Sequence, residues 1–160
     1  MTRTLLLTST MLAGVAMTPA LAEMNFNRIA SFPVASNFDG EIPATTSAEI
    51  IDVSGDGMTL VYTDSPAGVI GVIDITDPAN PAPKGVMQMD GEPTAVSIVG
   101  NTAFVAVNTS EGFTAPSGMI KAIDLGAMTE TARCDLGGQP DSTARAKDGS
   151  FIAMAIENER

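Results

Sequence analysis

The chain has 160 residues, with 8 Lys or Arg against 19 Asp or Glu, no His, one Cys and 4% aromatic residues, giving a formal net charge of −11. Its few cations are scattered, with no basic stripe and hardly an aromatic residue between them, which excludes nucleic acid and anionic membrane surfaces as partners and favours divalent cations or basic ones. Without His, Ser-His-Asp and Cys-His catalysis and the usual zinc sites are excluded too, so any chemistry must use carboxylates, amides, hydroxyls or an oxygen-bound metal.

The first segment has the three parts of a secretory signal peptide: Arg3 in a short positive start, the apolar run "LLLTSTMLAGVAM", and "TPALA" ending in small residues at Ala20 and Ala22. Cleavage is expected between Ala22 and Glu23. The apolar run is too short to span a bilayer and no later segment is apolar enough, so the expectation is a periplasmic or secreted protein with no membrane insertion. Loss of Arg3 takes the net charge from −11 to −12. Residues 23–46 read as an N-terminal lead-in, and residues 47–160 as the folded repeat.

Past the lead-in, helical periodicity is hard to find and short β-rich runs separated by turn residues are everywhere. The pattern predicts strands over Glu49–Ser54, Met58–Asp64, Val69–Thr76 and Val86–Asp90, joined by "SGDG", "SPAG" and "DPANPAPKG". A second set is predicted over Thr94–Val99, Thr102–Asn108, Met119–Leu125 and Ala132–Leu136. A third begins with Ser142–Lys147 and Ser150–Ile156. Laid over one another, the second strands put Asp64, Asn108 and Glu157 at one position, and the third strands align Asp74 with Asp124. "GEP" at Pro93 answers "GQP" at Pro140. A four-stranded unit with a period in the forties is the signature of a β-propeller blade, so the fold is all-β with about two and a half blades of four antiparallel strands. A propeller needs about four to eight blades to close. The expectation is therefore an N-terminal portion of a longer protein, with assembly of several copies into a ring as the alternative.

The repeat also decides a competing motif. In "DVSGDGMTLVYT", Asp52, Ser54, Asp56 and Gly57 fall where an EF-hand calcium loop has them, but the twelfth position is Thr63 where that loop needs a bidentate Glu. The same slot is filled later by "VGN" and "KDG", which are hairpin sequences. The stretch is read as a turn.

"GEPTAVSIVGNTAFVAVNTS" and "GGQPDSTARAKDGSFIAMAIEN" resemble the YVTN-type propeller repeat, and "VIDITDPANPAPKG" is similar to a related repeat with a Asp-Pro-x-Asn-Pro turn. Together with the signal peptide, they resemble the exported bacterial β-propellers of the esterase-like activity of phytase family, over nearly all of the mature chain. The resemblance implies an exported propeller hydrolysing esters or phosphoesters, and it identifies no catalytic residue here. Two departures stand out: Thr143 and Arg145 make the third first-strand polar, and the middle-strand aromatic survives only as Tyr62.

Ligands of propellers sit at one end of the central channel, beside the loops entering the innermost strands. Those loops carry Glu49, Glu92 and Asp141, which as a ring of carboxylates would hold Ca²⁺ and let it neutralise a phosphate and activate water. Exposed acids in an acidic protein are also simply solvated, and both readings stand at this point. "ENE" at Glu157, Asn158 and Glu159 offers a second polar rim, while Asp74 and Asp124 read as braces of turns. Cys134, alone, cannot form a disulfide within the chain and reads as small apolar filler or a thiol whose partner lies elsewhere. Three functions follow: a calcium-assisted esterase or phosphoesterase whose site lies largely outside this segment, a non-catalytic propeller binding a protein or surface polymer, and, last, a cofactor-binding propeller, for which no haem motif is present.

Overall fold

The computed structural model describes residues 27–158. The signal peptide, its cleavage site and Glu159 lie outside the described residues. Among the described residues ten strands form: β1 Ile51–Val53, β2 Thr59–Asp64, β3 Val69–Asp74, β4 Ala82–Gln88, β5 Glu92–Val99, β6 Thr102–Asn108, β7 Gly118–Asp124, β8 Thr129–Asp135, β9 Gln139–Arg145 and β10 Ile152–Glu157. They make two four-stranded antiparallel sheets, β1-β2-β3-β4 and β5-β6-β7-β8, and a two-stranded sheet of β9 and β10. The sets are blades 1, 2 and the inner half of blade 3. Each runs in chain order from an inner edge strand outward, as a propeller blade does.

Strand boundaries shift where the backbone, not the side-chain pattern, decides. β5 begins at Glu92 and β9 at Gln139, two or three residues earlier than the pattern predicts, because Pro93 and Pro140 join the ladder on an edge strand. Proline is tolerated there, where no neighbouring strand asks for its missing N–H. The outer strand β4 likewise starts at Ala82, through Pro83 and past a register shift opposite Val72 and Ile73. β8 shifts register opposite Ala122 and Ile123, the repeat-equivalent place. Bulged outer edges twist away from edge-to-edge pairing.

The three hairpin corners account physically for the stretch with EF-hand spacing. In Ser54–Met58, the Ser54 N–H donates to Thr59 O at 2.8 Å and the Gly57 N–H to Ser54 O at 2.8 Å. Asp56 Oδ1 accepts from Ser54 Oγ (2.6 Å) and from the Met58 N–H (3.0 Å). The Ser54 hydroxyl and the Met58 N–H hold the Asp56 carboxyl below its usual value. Gly57, Gly100 and Gly149 all have positive φ (74°, 60° and 72°), a left-handed backbone that these hairpin corners use and glycine supplies without a Cβ clash.

The main core lies between blades 1 and 2. Val61, Ile70 and Val72 of blade 1 meet Val96, Ile98, Val105, Val107 and Ile123 of blade 2, all 0–4% exposed. At about 1.5–3 kcal/mol for each large aliphatic side chain removed from water, this seam is the chief stabilising term. Blade 3 packs on blade 2 through β9, which lies against β5 and β6.

The other face of blade 1 carries Tyr62, Val69 and Ile73, also buried. The lead-in covers it. A single 3-10 turn, Val34–Asn37, packs on β3 and β4. Asn37 grips Gly85 on both sides, donating from Nδ2 to its carbonyl (2.8 Å) and accepting its N–H on Oδ1 (2.9 Å). It also donates to the Tyr62 hydroxyl at 3.3 Å. Gly71, opposite Tyr62 across the ladder, leaves room for the ring; a Cβ there would fall inside it.

Candidate functional site

The inner strands β1, β5 and β9 come from successive blades, and their side chains reach across from blade to blade. Asp52 Oδ2 of β1 accepts the Ile98 N–H of β5 at 2.7 Å. Arg145 of β9 donates to the Ile98 carbonyl, and its Nη1 lies 3.9 Å from Asp52 Oδ2. One residue of blade 2 is thus held from both sides by opposite charges of blades 1 and 3. Ser97 and Thr143 share a hydroxyl hydrogen bond of 2.9 Å, and Thr94 Oγ1 donates to Pro140 O at 2.9 Å. The polar residues Thr143 and Arg145, departures from the repeat pattern, are accounted for by this seam.

At the end where β1, β5 and β9 begin, the structure places Glu49, Glu92 and Asp141 on exposed positions of three successive blades. It does not bring them into one cluster: among the described residues, no three Cys, Asp or Glu side chains are placed to hold a metal ion. Register gives the reason. Glu92 pairs with Asn108, and Gln139 with Glu157. Pro93 and Pro140 follow, so the residue matching Glu92 in blade 3 is Gln139, and Asp141 matches Thr94. In blade 1, Glu49 N donates to Thr63 O (3.0 Å), and Glu49 precedes Ile51 as Thr94 precedes Val96 and Asp141 precedes Thr143 at equivalent points of the ladders. Glu49 and Asp141 thus share one repeat position with Thr94 of blade 2 between them, while Glu92 stands before the proline of its own blade.

Each rim group is engaged locally. Ser65 Oγ lies 2.6 Å from Glu49 Oε2 and 2.9 Å from Pro93 O, tying blade 1 to blade 2. Asn108 Nδ2 donates to Glu92 Oε2 at 3.2 Å, and the Gln139 N–H donates to Asn158 Oδ1 at 3.3 Å. Asp64, wholly buried, accepts the Ser47 and Ala67 N–H groups on Oδ1 (2.9 and 3.2 Å), while its Oδ2 has no protein partner among the described residues. The braces act as expected: Asp74 Oδ1 accepts the Thr76 N–H at 2.8 Å, and Asp124 Oδ1 those of Gly126 and Ala127 at 2.8 Å. The backbone and hydroxyl of Thr76 hold the Asp74 carboxyl below its usual value.

Acids stand at both ends of the sheets. Exposed Glu49, Glu92, Asp141 and Glu157 lie at the end where the inner strands begin. Lys84 and Lys147 lie towards the opposite end, among the turn acids Asp56, Asp74, Asp77, Asp124 and Asp148. A further cation is hidden: Lys121, in the middle of β7, is 1% exposed, with Nζ 2.7 Å from Asp90 Oδ2 and 3.3 Å from Glu130 Oε2. Glu130 also pairs with Arg133 Nε at 2.5 Å. Lys121 donates to Asp90 and holds its carboxyl below the usual value. Burial raises the Glu130 carboxyl, but hydrogen bonds from Arg133 and Lys121 outweigh it and leave it lowered. Sequence reasoning missed Lys121; its only signal is a Lys standing where blade 1 has Gly71.

No protein-family model matches the chain, and no curated protein matches it. Solved structures do. The hydrazine synthase of Kuenenia stuttgartiensis aligns with a TM-score of 0.57 at 19% identity, over 69% of this chain and 30% of that one. The glutaminyl cyclase of Myxococcus xanthus aligns with a TM-score of 0.47 at 16% identity, over 72% of this chain and 46% of that one. Both are β-propeller proteins. The chain thus spans under a third of the first relative and under half of the second, and the likeness concerns fold alone: the protein is all-β, built of propeller blades.

Proposed function

We propose that the protein is an exported β-propeller that binds a basic segment of a protein partner at its acidic rim. The observation that carries this reading is the set of exposed carboxylates of Glu49, Glu92, Asp141 and Glu157 where the inner strands of three successive blades begin, on a chain of net charge −11. Such an end attracts cationic partners over a Debye length, about 8–10 Å at physiological salt. Export is supported by the leader sequence at residues 1–22. Binding of a fluorescent oligolysine peptide tests the rim. The account expects affinity that weakens with salt and is lost in Glu92→Lys/Asp141→Lys; affinity unchanged by that double reversal would remove the rim from the site.

A second reading, calcium-assisted hydrolysis of an ester or phosphoester, rests on the resemblance of the "GEP" and "GQP" repeats and on the exposed carboxylates of Glu92 and Asp141. The chain would supply rim carboxylates, and the remaining groups would come from further blades. It expects calcium-dependent turnover of a nitrophenyl phosphate that is lost in Glu92→Ala. Turnover without calcium dependence, or none, would leave the binding reading alone.

A further inference from the structure

The connection from the second strand to the third differs between blades 1 and 2. Blade 1 takes four residues, 65–68, and blade 2 takes nine, 109–117. The added length is not slack. Its two arms are laced together at the neck: the Thr109 N–H donates to Ser117 O at 3.1 Å, the Thr109 and Ser117 hydroxyls lie 2.8 Å apart, and the Ser110 hydroxyl accepts the Ser117 N–H at 3.0 Å. At the tip, the Ala115 N–H donates to Gly112 O at 3.1 Å, closing a turn with Phe113 and Thr114 at its corner. Pro116 follows and restricts Ala115 as well as itself. The turn holds Phe113 70% exposed, the most open of the large apolar side chains among the described residues. A lone exposed apolar side chain is ordinary on a protein surface. What distinguishes this one is its support and its place.

Its place is the acidic rim. Asn108, at the foot of the loop, pairs with Glu92 across one ladder and with Gly118 across the next. The Asn108 side chain donates to Glu92 Oε2 at 3.2 Å and accepts the Ser110 N–H on Oδ1 at 3.0 Å, so one amide ties a rim carboxylate to the loop. Glu111, exposed, adds a carboxylate just before the ring. Blades stack through their faces, so a loop at the end of a sheet owes its exposure to neither face. We propose that Phe113 is the apolar anchor of this end, an inference that rests on the rim binding basic segments, and that the segment bound there carries an aromatic or large aliphatic side chain among its cations. Charge complementarity draws such a segment to Glu92 and Glu111. The ring then supplies what exposed carboxylates lack, apolar area to remove from water. An aromatic side chain within a polar surround is the usual form of a binding hot spot. The laced neck and the turn hold the ring in place before anything binds, so little ordering is left for binding to impose.

The test compares two peptides of equal charge, hexalysine and hexalysine with a tryptophan at its centre, with affinities read by calorimetry. The protein has no tryptophan, so indole emission reports on the peptide alone. The tryptophan peptide is expected to bind at least about fivefold more tightly, with its emission shifted to the blue as the indole leaves water. Phe113→Ala is expected to erase both the preference and the blue shift; the ring is exposed, so its removal leaves the fold intact. Phe113→Leu keeps apolar area and is expected to retain part of the preference. Equal affinities of the two peptides for the parent protein overturn the proposal. So does a preference that survives in Phe113→Ala, which puts the indole elsewhere. The two proposals fail with different signatures. Binding of both peptides that Glu92→Lys/Asp141→Lys leaves unmoved removes the rim, and the anchor with it. Equal binding of both that this reversal abolishes keeps the rim and removes Phe113 alone.

Discussion

Replacing Asn37 by Ala tests how the lead-in is held, and the chain carries its own probe. Three hydrogen bonds go at once: two to Gly85 and one to the Tyr62 hydroxyl. Gly85 is half-buried, so its freed N–H and C=O recruit water, and each bond costs the ordinary net value of about 0.5–1.5 kcal/mol. Tyr62 is 1% exposed, and a buried hydroxyl left unpaired costs about 1–3 kcal/mol. The working total is about 3 kcal/mol if the lead-in stays seated. That is comparable to what a short segment gains by docking, so the variant is expected to release the lead-in and expose the ring. Tyr62 is the only tyrosine and there is no tryptophan, so tyrosine fluorescence and phenol titration report on this site alone. Burial raises the Tyr62 phenol above its usual value; the Asn37 hydrogen bond lowers it, and the Asp64 charge raises it. Release of the lead-in removes the burial, and the titration is expected to fall back towards about 10, the ordinary tyrosine value. A titration that rises in Asn37→Ala would mean that the hydrogen bond is lost but the cover stays. Unchanged fluorescence and titration together would refute the account of the lead-in. The sign for stability follows: with the folded value raised, the contribution is present below the unfolded value and is lost as pH rises through the folded one.

Other expectations concern the seams and the turns. Asp52→Ala leaves the Ile98 N–H, 0% exposed, without its acceptor and is expected to cost about 1–3 kcal/mol in urea denaturation, while Asp52→Asn keeps an acceptor and costs far less. Lys121→Met keeps the buried stem and removes the charge, and is expected to stay within about 1 kcal/mol of the parent. The double variant Asp90→Asn/Glu130→Gln strands the buried ammonium and is expected to be clearly less stable than Lys121→Met by the same assay. Gly71→Ala forces a Cβ into the Tyr62 ring and is expected to destabilise, with partial recovery in Gly71→Ala/Tyr62→Leu. Asp56, Asp74, Asp77 and Asp148 are all held below their usual values by hydroxyls, amides or backbone N–H groups of their own turns. Their contribution is present above the unfolded carboxylate values and is lost as pH falls through the folded ones, so stability is expected to decline on acidification in circular dichroism melts.

The blade repeat was legible because each strand alternates or fills with apolar residues between Gly, Asn and Asp corners, and "SGDG", "VGN" and "KDG" mark one corner three times. The equivalence of Asn108 and Glu157 was legible in the same way and matches the ladder register. The grouping of Glu49, Glu92 and Asp141 was only in part a structural equivalence. Glu49 and Asp141 share a repeat position, but Glu92 precedes the proline of "GEP" while Asp141 follows that of "GQP", in a bulge that both blades place beside the proline. Arg145 looked like a flaw in a strand because its partners, Ile98 and Asp52, lie 47 and 93 positions back on other blades. Lys121 was silent for a like reason: a buried cation is visible only once Asp90 and Glu130 are brought beside it.

Disulfide trapping between blades 2 and 3 tests the propeller architecture most directly. Ser97 Oγ and Thr143 Oγ1 lie 2.9 Å apart on β5 and β9, 46 residues apart in sequence. With Cys134 changed to Ser, the Ser97→Cys/Thr143→Cys protein is predicted to close an intramolecular disulfide under mild oxidation, since hydroxyl oxygens in contact place the two Cβ atoms near disulfide range. Two free thiols in the folded protein, or cross-links only between separate chains, would contradict the stacking of consecutive blades on which the account rests.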